Sequence, residues 1–183
     1  MKWVINMENE TKIICNQRLI LKAAQSVWAA NKYFVLACSQ QQYRKVREHL
    51  RPDNVKLVRA YEVLSGVYTA FKEVPSADLP QITNALYHIS GYFKKVLPSA
   101  ARQEMDMLIQ VNPKEALRIL ESYTLHYQVD YLLNCSLWPS KRGNCFNQIT
   151  APLKDKGKTY PPNTLYWNGN SVIFKQKESN DIF

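Results

Sequence analysis

Long hydrophobic runs are missing from this chain. Its apolar stretches are short and interrupted by Lys, Arg or Gln, and none approaches the roughly 20 residues of a membrane-spanning helix, so no membrane partner is expected. Met1 to Asn6 soon meet Glu8 and Glu10, which leaves no room for the apolar core of a signal peptide; a cytoplasmic protein is expected. Cysteines are few and scattered. Cys15, Cys38, Cys135 and Cys145 form no C-x-x-C pair and have no His at zinc-ligand spacing, which argues against a structural zinc or a disulfide framework. No metal or other cofactor is expected. Acidic residues are outnumbered, 15 against 24 Lys and Arg, and the resulting formal net charge of +9 favours phosphate backbones or anionic surfaces as partners. Internal repeats and low-complexity segments are also absent from the sequence.

What the chain does have is enough apolar material for a core, 46% of its residues, in a length that suits one domain and a tail. Its most informative stretch is NALYHISGYFKK, residues 84–95. At helical pitch Ile82, Leu86, Ile89, Phe93 and Val96 share one sector, while Asn84, His88, Gly91 and Lys95 fall opposite. One face asks for a core; the other carries an amide, an imidazole, a gap and a cation. Gly inside a helix costs roughly 1 kcal/mol against Ala, so Gly91 suggests that a ligand or another backbone comes close. A second helix packed on Gly91, with His88 as a satisfied interhelical hydrogen-bonder, would explain the same pattern.

The rest of the chain reads as mainly α, a compact bundle of about five or six helices with a small C-terminal β-hairpin. Residues 18–50 predict one long helix or two abutting ones, ending before Arg51-Pro52. Val27, Asn31, Phe34 and Cys38 line one side of it, Lys32, Leu36, Ser39 and Tyr43 another, and Arg44, Arg47 and Arg51 make a basic stripe. A second helix is expected from Asp53 through Phe71 to the break at Val74-Pro75-Ser76. A third begins near Asp78-Leu79-Pro80, a fourth is capped by Ser99, and a fifth opens at Pro113 and breaks near Tyr127-Gln128. The helical domain is placed at 18–143 and a loop-rich extension at 144–183. Within that extension Asn168-Gly169-Asn170 predicts a hairpin over residues 164–174, because Asn-Gly readily takes the positive φ angles of tight turns. Residues 2–6 and 11–15 are strand-like, and a lone hairpin is marginal in water, so the two chain ends are expected to pair.

Three segments, KYFVLACSQQQYRKV, NALYHISGYFKK and YQVDYLL, resemble the YbgA-like family in order and spacing over roughly residues 24 to 142. The family pattern K-x-x-x-L-A-H-S-Q-x-x-Y-R keeps Lys32, Leu36, Ala37, Ser39, Gln40, Tyr43 and Arg44, with Cys38 where His is usual. The pattern N-x-x-x-H-x-x-G-Y-F-K is complete in Asn84, His88, Gly91, Tyr92, Phe93 and Lys94. A third keeps Tyr131 and Leu132 but has Cys135 in place of Gln, and a family His upstream is replaced near Ser122. The resemblance implies a helical domain of unknown function, found alone or fused to a thiouracil-desulfurase-like domain for which it is thought to hold thiolated tRNA. A separate desulfurase-like protein is then a conceivable partner.

Together these observations favour a non-catalytic nucleic-acid-binding module that grips structured RNA such as tRNA through basic helix edges. Its candidate contacts are Lys32, Ser39, Gln40, Tyr43, Arg44, Arg47, Asn84, His88, Tyr92, Lys94 and Lys95, with Tyr43, Tyr87 and Tyr92 available for base stacking. The alternatives are a helical protein-protein adaptor using the same stripe and an enzyme with His88 as general base. The enzyme reading lacks a carboxylate in the matched motifs to orient the imidazole.

Overall fold

The computed structural model describes residues 11–14, 17–57, 59–72, 82–141, 153–160, 165–167 and 172–175. Helices dominate it. They are α1 (Gln17–Cys38), α2 (Gln40–His49), α3 (Pro52–Leu57), α4 (Ala60–Lys72), α5 (Ile82–Ser90), α6 (Ser99–Val111), α7 (Pro113–His126) and α8 (Asp130–Leu133). The strands are β1 (Thr11–Ile14), β2 (Leu153–Asp155), β3 (Lys158–Tyr160), β4 (Leu165–Trp167) and β5 (Val172–Lys175).

Helix α1 is apolar on two flanks, and each flank organises its own core. Leu19, Ile20, Ala23, Ala24 and Val27 pack with Val63, Leu64, Val67 and Tyr68 of α4 and with Val46 of α2. Ala23 and Ala24 are fully buried, so no long side chain holds the neighbouring helix off. Tyr33, Leu36 and Ala37 turn the other way, toward Ile82, Ala85, Leu86 and Ile89 of α5, Phe93 beyond it, and Leu117 and Leu120 of α7. Burying a side chain of this size contributes about 1.5–3 kcal/mol each, so these stripes rather than helix propensity stabilise the bundle. The segment after α8 is tied back to α1. The Ser136 amide donates to the Ala30 carbonyl at 2.9 Å, and buried Trp138 donates its indole Nε1 to the Leu132 carbonyl at 2.6 Å.

Local chemistry explains the breaks. Ser39 adopts extended backbone (φ −158°, ψ 109°), and its hydroxyl accepts from the Gln42 amide at 3.3 Å, so one helix ends and a capped one begins. The continuous helix expected from Asp53 is instead two, α3 and α4; the Ala60 amide at the start of α4 is satisfied by Gln17 Oε1 at 2.9 Å. Ser99 is not a cap: Pro98 occupies that position and Ser99 is the first helical residue. Asn112 does cap α7, accepting from the Glu115 amide at 3.2 Å with Pro113 in the first turn. That helix ends at His126 with Tyr127 as its C-cap; Gln128 beyond it takes the left-handed conformation (φ 50°) while the Val129 amide bonds back to the Thr124 carbonyl at 3.1 Å.

The apolar stripe of NALYHISGYFKK is buried at Ile82, Leu86, Ile89 and Phe93. Val96 breaks the pattern: it is 47% exposed, and Leu97 is buried instead. The chain tightens into a 3₁₀ turn at Gly91–Phe93, and three residues per turn rather than 3.6 rotates whatever follows out of phase.

At the chain ends, β1, β5 and β4 form an antiparallel sheet in that order, with Ile13 opposite Ile173 and Leu165 opposite Phe174. The C-terminal hairpin and its pairing with an N-terminal strand are as the turn signal suggested. The Asn168-Gly169-Asn170 turn itself, residues 2–6, the Asp78-Leu79-Pro80 helix start and the Val74-Pro75-Ser76 break lie outside the described residues. A second hairpin, β2–β3, stands where only loop was expected. Its two-residue turn uses Lys156 (φ 46°) and Gly157 (φ 78°), and its Leu153 is buried in the core shared by α1 and α4.

Candidate functional site

Lys32 lies half-buried on α1 among three tyrosines from different parts of the chain. Its ammonium is 4.4 Å from the ring centre of Tyr33, 4.4 Å from that of Tyr131 and 5.9 Å from that of Tyr92, within cation–π range of all three. Lys32 Nζ donates to the Tyr92 hydroxyl at 3.4 Å, and the Tyr33 hydroxyl donates to the same oxygen at 3.1 Å. Tyr92 and Tyr131 stack at 5.7 Å with only 11° between their planes, and they remain 39% and 44% exposed. Tyr33 meets Tyr92 edge-on and is itself buried.

This geometry keeps the cation charged. Burial works to lower the Lys32 pKa, but the Tyr131 and Tyr92 hydroxyls outweigh it and hold the group above the ordinary lysine value. Burial, with the Tyr92 hydrogen bond, pushes the Tyr33 hydroxyl well above its usual range. At neutral pH Lys32 is therefore an ammonium set against aromatic faces, with the Tyr33 hydroxyl protonated beside it.

A second aromatic and basic group follows along α1 and α2. Trp28 and Tyr43 rings meet at 5.4 Å, and the Arg47 guanidinium sits 5.7 Å from the Tyr43 ring centre. Arg44, Arg47, Glu48 and Arg51 line a cleft of about 300 Å³. All three arginines are exposed.

The remaining expected residues are placed less centrally. Ser39 is occupied as the α2 cap, and Gln40 is exposed in the first turn of α2. Asn84, His88 and Lys95 are exposed; His88 makes no hydrogen bond or ion pair among the described residues. Lys94 lines a separate small cleft of about 90 Å³ with Arg102 and Asp106. Tyr87 pins α5 to α6, donating to the Asp106 carbonyl at 3.3 Å and accepting from Gln110 Nε2 at 2.9 Å, so its hydroxyl serves packing. Gly91 does not mark a close approach, since a Cβ built there meets nothing within 4 Å.

Tyr33 and Tyr131 were not singled out as contacts. Tyr131 stood in the third family-like segment, and Tyr33 beside Lys32; only the tertiary fold brings them together. Cys38 and Cys135 are both buried, and burial pushes their thiols up to about 11 and about 12. Neither is a thiolate at neutral pH. Among the described residues no three His, Cys, Asp or Glu side chains are grouped to hold a metal ion, and no helix is long and apolar enough to cross a membrane.

Neither the curated proteins nor the solved structures contain a match to this chain. A family model does: the one described as "Protein of unknown function (DUF1722)" matches residues 32–139, from the caged lysine to the turn after α8. The chain belongs to that family, whose domain the YbgA-like proteins carry.

Proposed function

We propose that this chain is a non-catalytic module that binds structured RNA such as tRNA. One observation carries the reading: a stacked, exposed pair of tyrosines, Tyr92 and Tyr131, with the Lys32 ammonium against both rings. Exposed aromatic faces grip unpaired bases, and a neighbouring cation serves the phosphate chain that links them. The Arg44, Arg47 and Arg51 edge extends the positive surface, in keeping with the excess of basic residues over the whole sequence. An exposed His88 with no carboxylate partner among the described residues offers little to a general-base reading.

The test is a fluorescence anisotropy titration of labelled tRNA at low salt. Replacing Tyr92 and Tyr131 together by Ala is expected to weaken binding by roughly 1–3 kcal/mol per base lost from the stack, while the Phe pair retains most of the affinity. Absence of association beyond that of a neutral control protein overturns the reading and leaves the protein-adaptor alternative in its place.

A further inference from the structure

The geometry points to the cleft of Arg44, Arg47, Glu48 and Arg51 as a site for a phosphate monoester, the terminal 5′-phosphate of an RNA strand; in that macromolecular form the inference rests on the RNA reading above. Helix α2 sets Arg44 and Arg47 three residues apart on one edge, and Arg51 follows just beyond its end. Glu48 is already engaged. Its Oε2 lies 3.0 Å from Arg51 Nε, and its Oε1 accepts from Arg51 Nη1 at 3.3 Å and from Asn54 Nδ2 at 3.3 Å. Both partners of that ion pair are more than half exposed, so it adds little stability, but it does fix one wall of the cleft.

Arg44 and Arg47 have no carboxylate partner among the described residues. Three guanidinium groups against one carboxylate leave two positive charges facing the cleft. A phosphodiester carries one negative charge, whereas a monoester carries about 1.5 to 2 at neutral pH and presents three acceptor oxygens to forked donors. The lining therefore matches a chain end better than a chain interior. Nucleoside-sized space is available, since about 300 Å³ is the lower end of small-ligand sites. Tyr43, whose ring meets Trp28 at 5.4 Å and lies 5.7 Å from the Arg47 guanidinium, is the aromatic neighbour of this lining, in reach of the base that follows the phosphate.

The experiment compares one short single-stranded RNA with a 5′-phosphate and with a 5′-hydroxyl, alongside adenosine monophosphate and inorganic phosphate, by isothermal titration at low salt. The 5′-phosphate is expected to tighten binding on the order of tenfold, a gain lost in an Arg44→Gln, Arg47→Gln variant. Both arginines are exposed, and unchanged helical circular dichroism verifies the fold of the variant. Equal binding of the two RNAs overturns this inference and leaves the RNA reading standing. Binding of adenosine monophosphate or inorganic phosphate, abolished in the variant and unaccompanied by any RNA binding, retains the phosphate site and overturns the RNA reading. No binding of any of the four probes overturns both.

Discussion

Lys32 on α1 and Tyr131 on α8 meet with the ammonium 4.4 Å from the ring centre, joining the first long helix to the last short one through a cation and a π face. Half-buried cation–π contacts are worth about 1 kcal/mol. Replacing Lys32 by Met keeps the aliphatic stem and removes the charge. We expect a loss of about 1 kcal/mol in urea-unfolding stability, and the Lys32→Arg variant, whose flat guanidinium can also lie on a ring, should recover most of it. A Met variant as stable as the parent would show that the contact is electrostatically idle.

Alkali should destabilise the protein as the pH rises past the ordinary thiol value. Burial raises the Cys38 and Cys135 thiols from 9.0 to about 11 and about 12, so above pH 9 the unfolded chain releases protons that the folded chain retains. Their contribution is fully present below pH 9 and is lost as pH rises through the folded values, at about 1.4 kcal/mol per pH unit for each thiol. Tyr33, Tyr68 and Lys32, all shifted upward, act in the same direction only above about pH 10. Urea midpoints measured from pH 8 to 10 should fall for the parent and stay nearly level for a Cys38→Ala, Cys135→Ala variant; parallel curves would contradict the assignment.

Gly91 invites a stabilising substitution. Its φ is not positive, it lies in a helical turn, and an added Cβ touches nothing within 4 Å. Gly91→Ala should raise stability by roughly 0.5–1 kcal/mol through the unfolded chain's lost freedom. A drop in melting temperature would reveal a steric demand at this turn.

Two further substitutions separate core from cap. Phe93 is fully buried and packs edge-on against Tyr123 at 5.8 Å, so Phe93→Ala should cost about 3–5 kcal/mol. Ser39→Ala removes one capping hydrogen bond and should cost about 1 kcal/mol. Equal effects from the two would mean that the α1–α2 junction carries far more than its single bond.

Salt offers a measure of the phosphate contacts. If Arg44, Arg47 and Lys94 each neutralise one phosphate, changing all three to Gln should lower the log-log salt slope of tRNA binding by about 2 to 3. Lys94 lines a different cleft from the two arginines, so a fall of only about 1.5, the value for two phosphates, would place it outside the contact surface.

The period of Ile82, Leu86, Ile89 and Phe93 made the buried face legible, because a helix repeats its side chains on a fixed angle. Val96 escaped that rule where the helix changed pitch, a change no apolar period announces. The β2–β3 hairpin was missed because its turn is Lys156-Gly157, chemically less distinctive than Asn-Gly. Within the candidate site, Lys32, Tyr43, Arg47 and Tyr92 were visible in local segments. Tyr33 and Tyr131 were not, since their value lies in a meeting of α1, the 3₁₀ turn and α8 that chain distance conceals.

Helix α1 is the wall common to two cores, with Leu19, Ile20, Ala23, Ala24, Val27 and Val35 facing one and Tyr33, Leu36 and Ala37 the other. Neither half can open without stripping a flank of that helix. Amide protons along its middle are therefore expected to exchange with solvent only when the whole chain unfolds, while the far faces of α4 and α6 exchange by smaller local openings. Lys32 and Tyr33 ride on this element, so in the RNA complex proposed above their charge and ring would be in place before a partner arrives, and little ordering entropy would stand between encounter and binding.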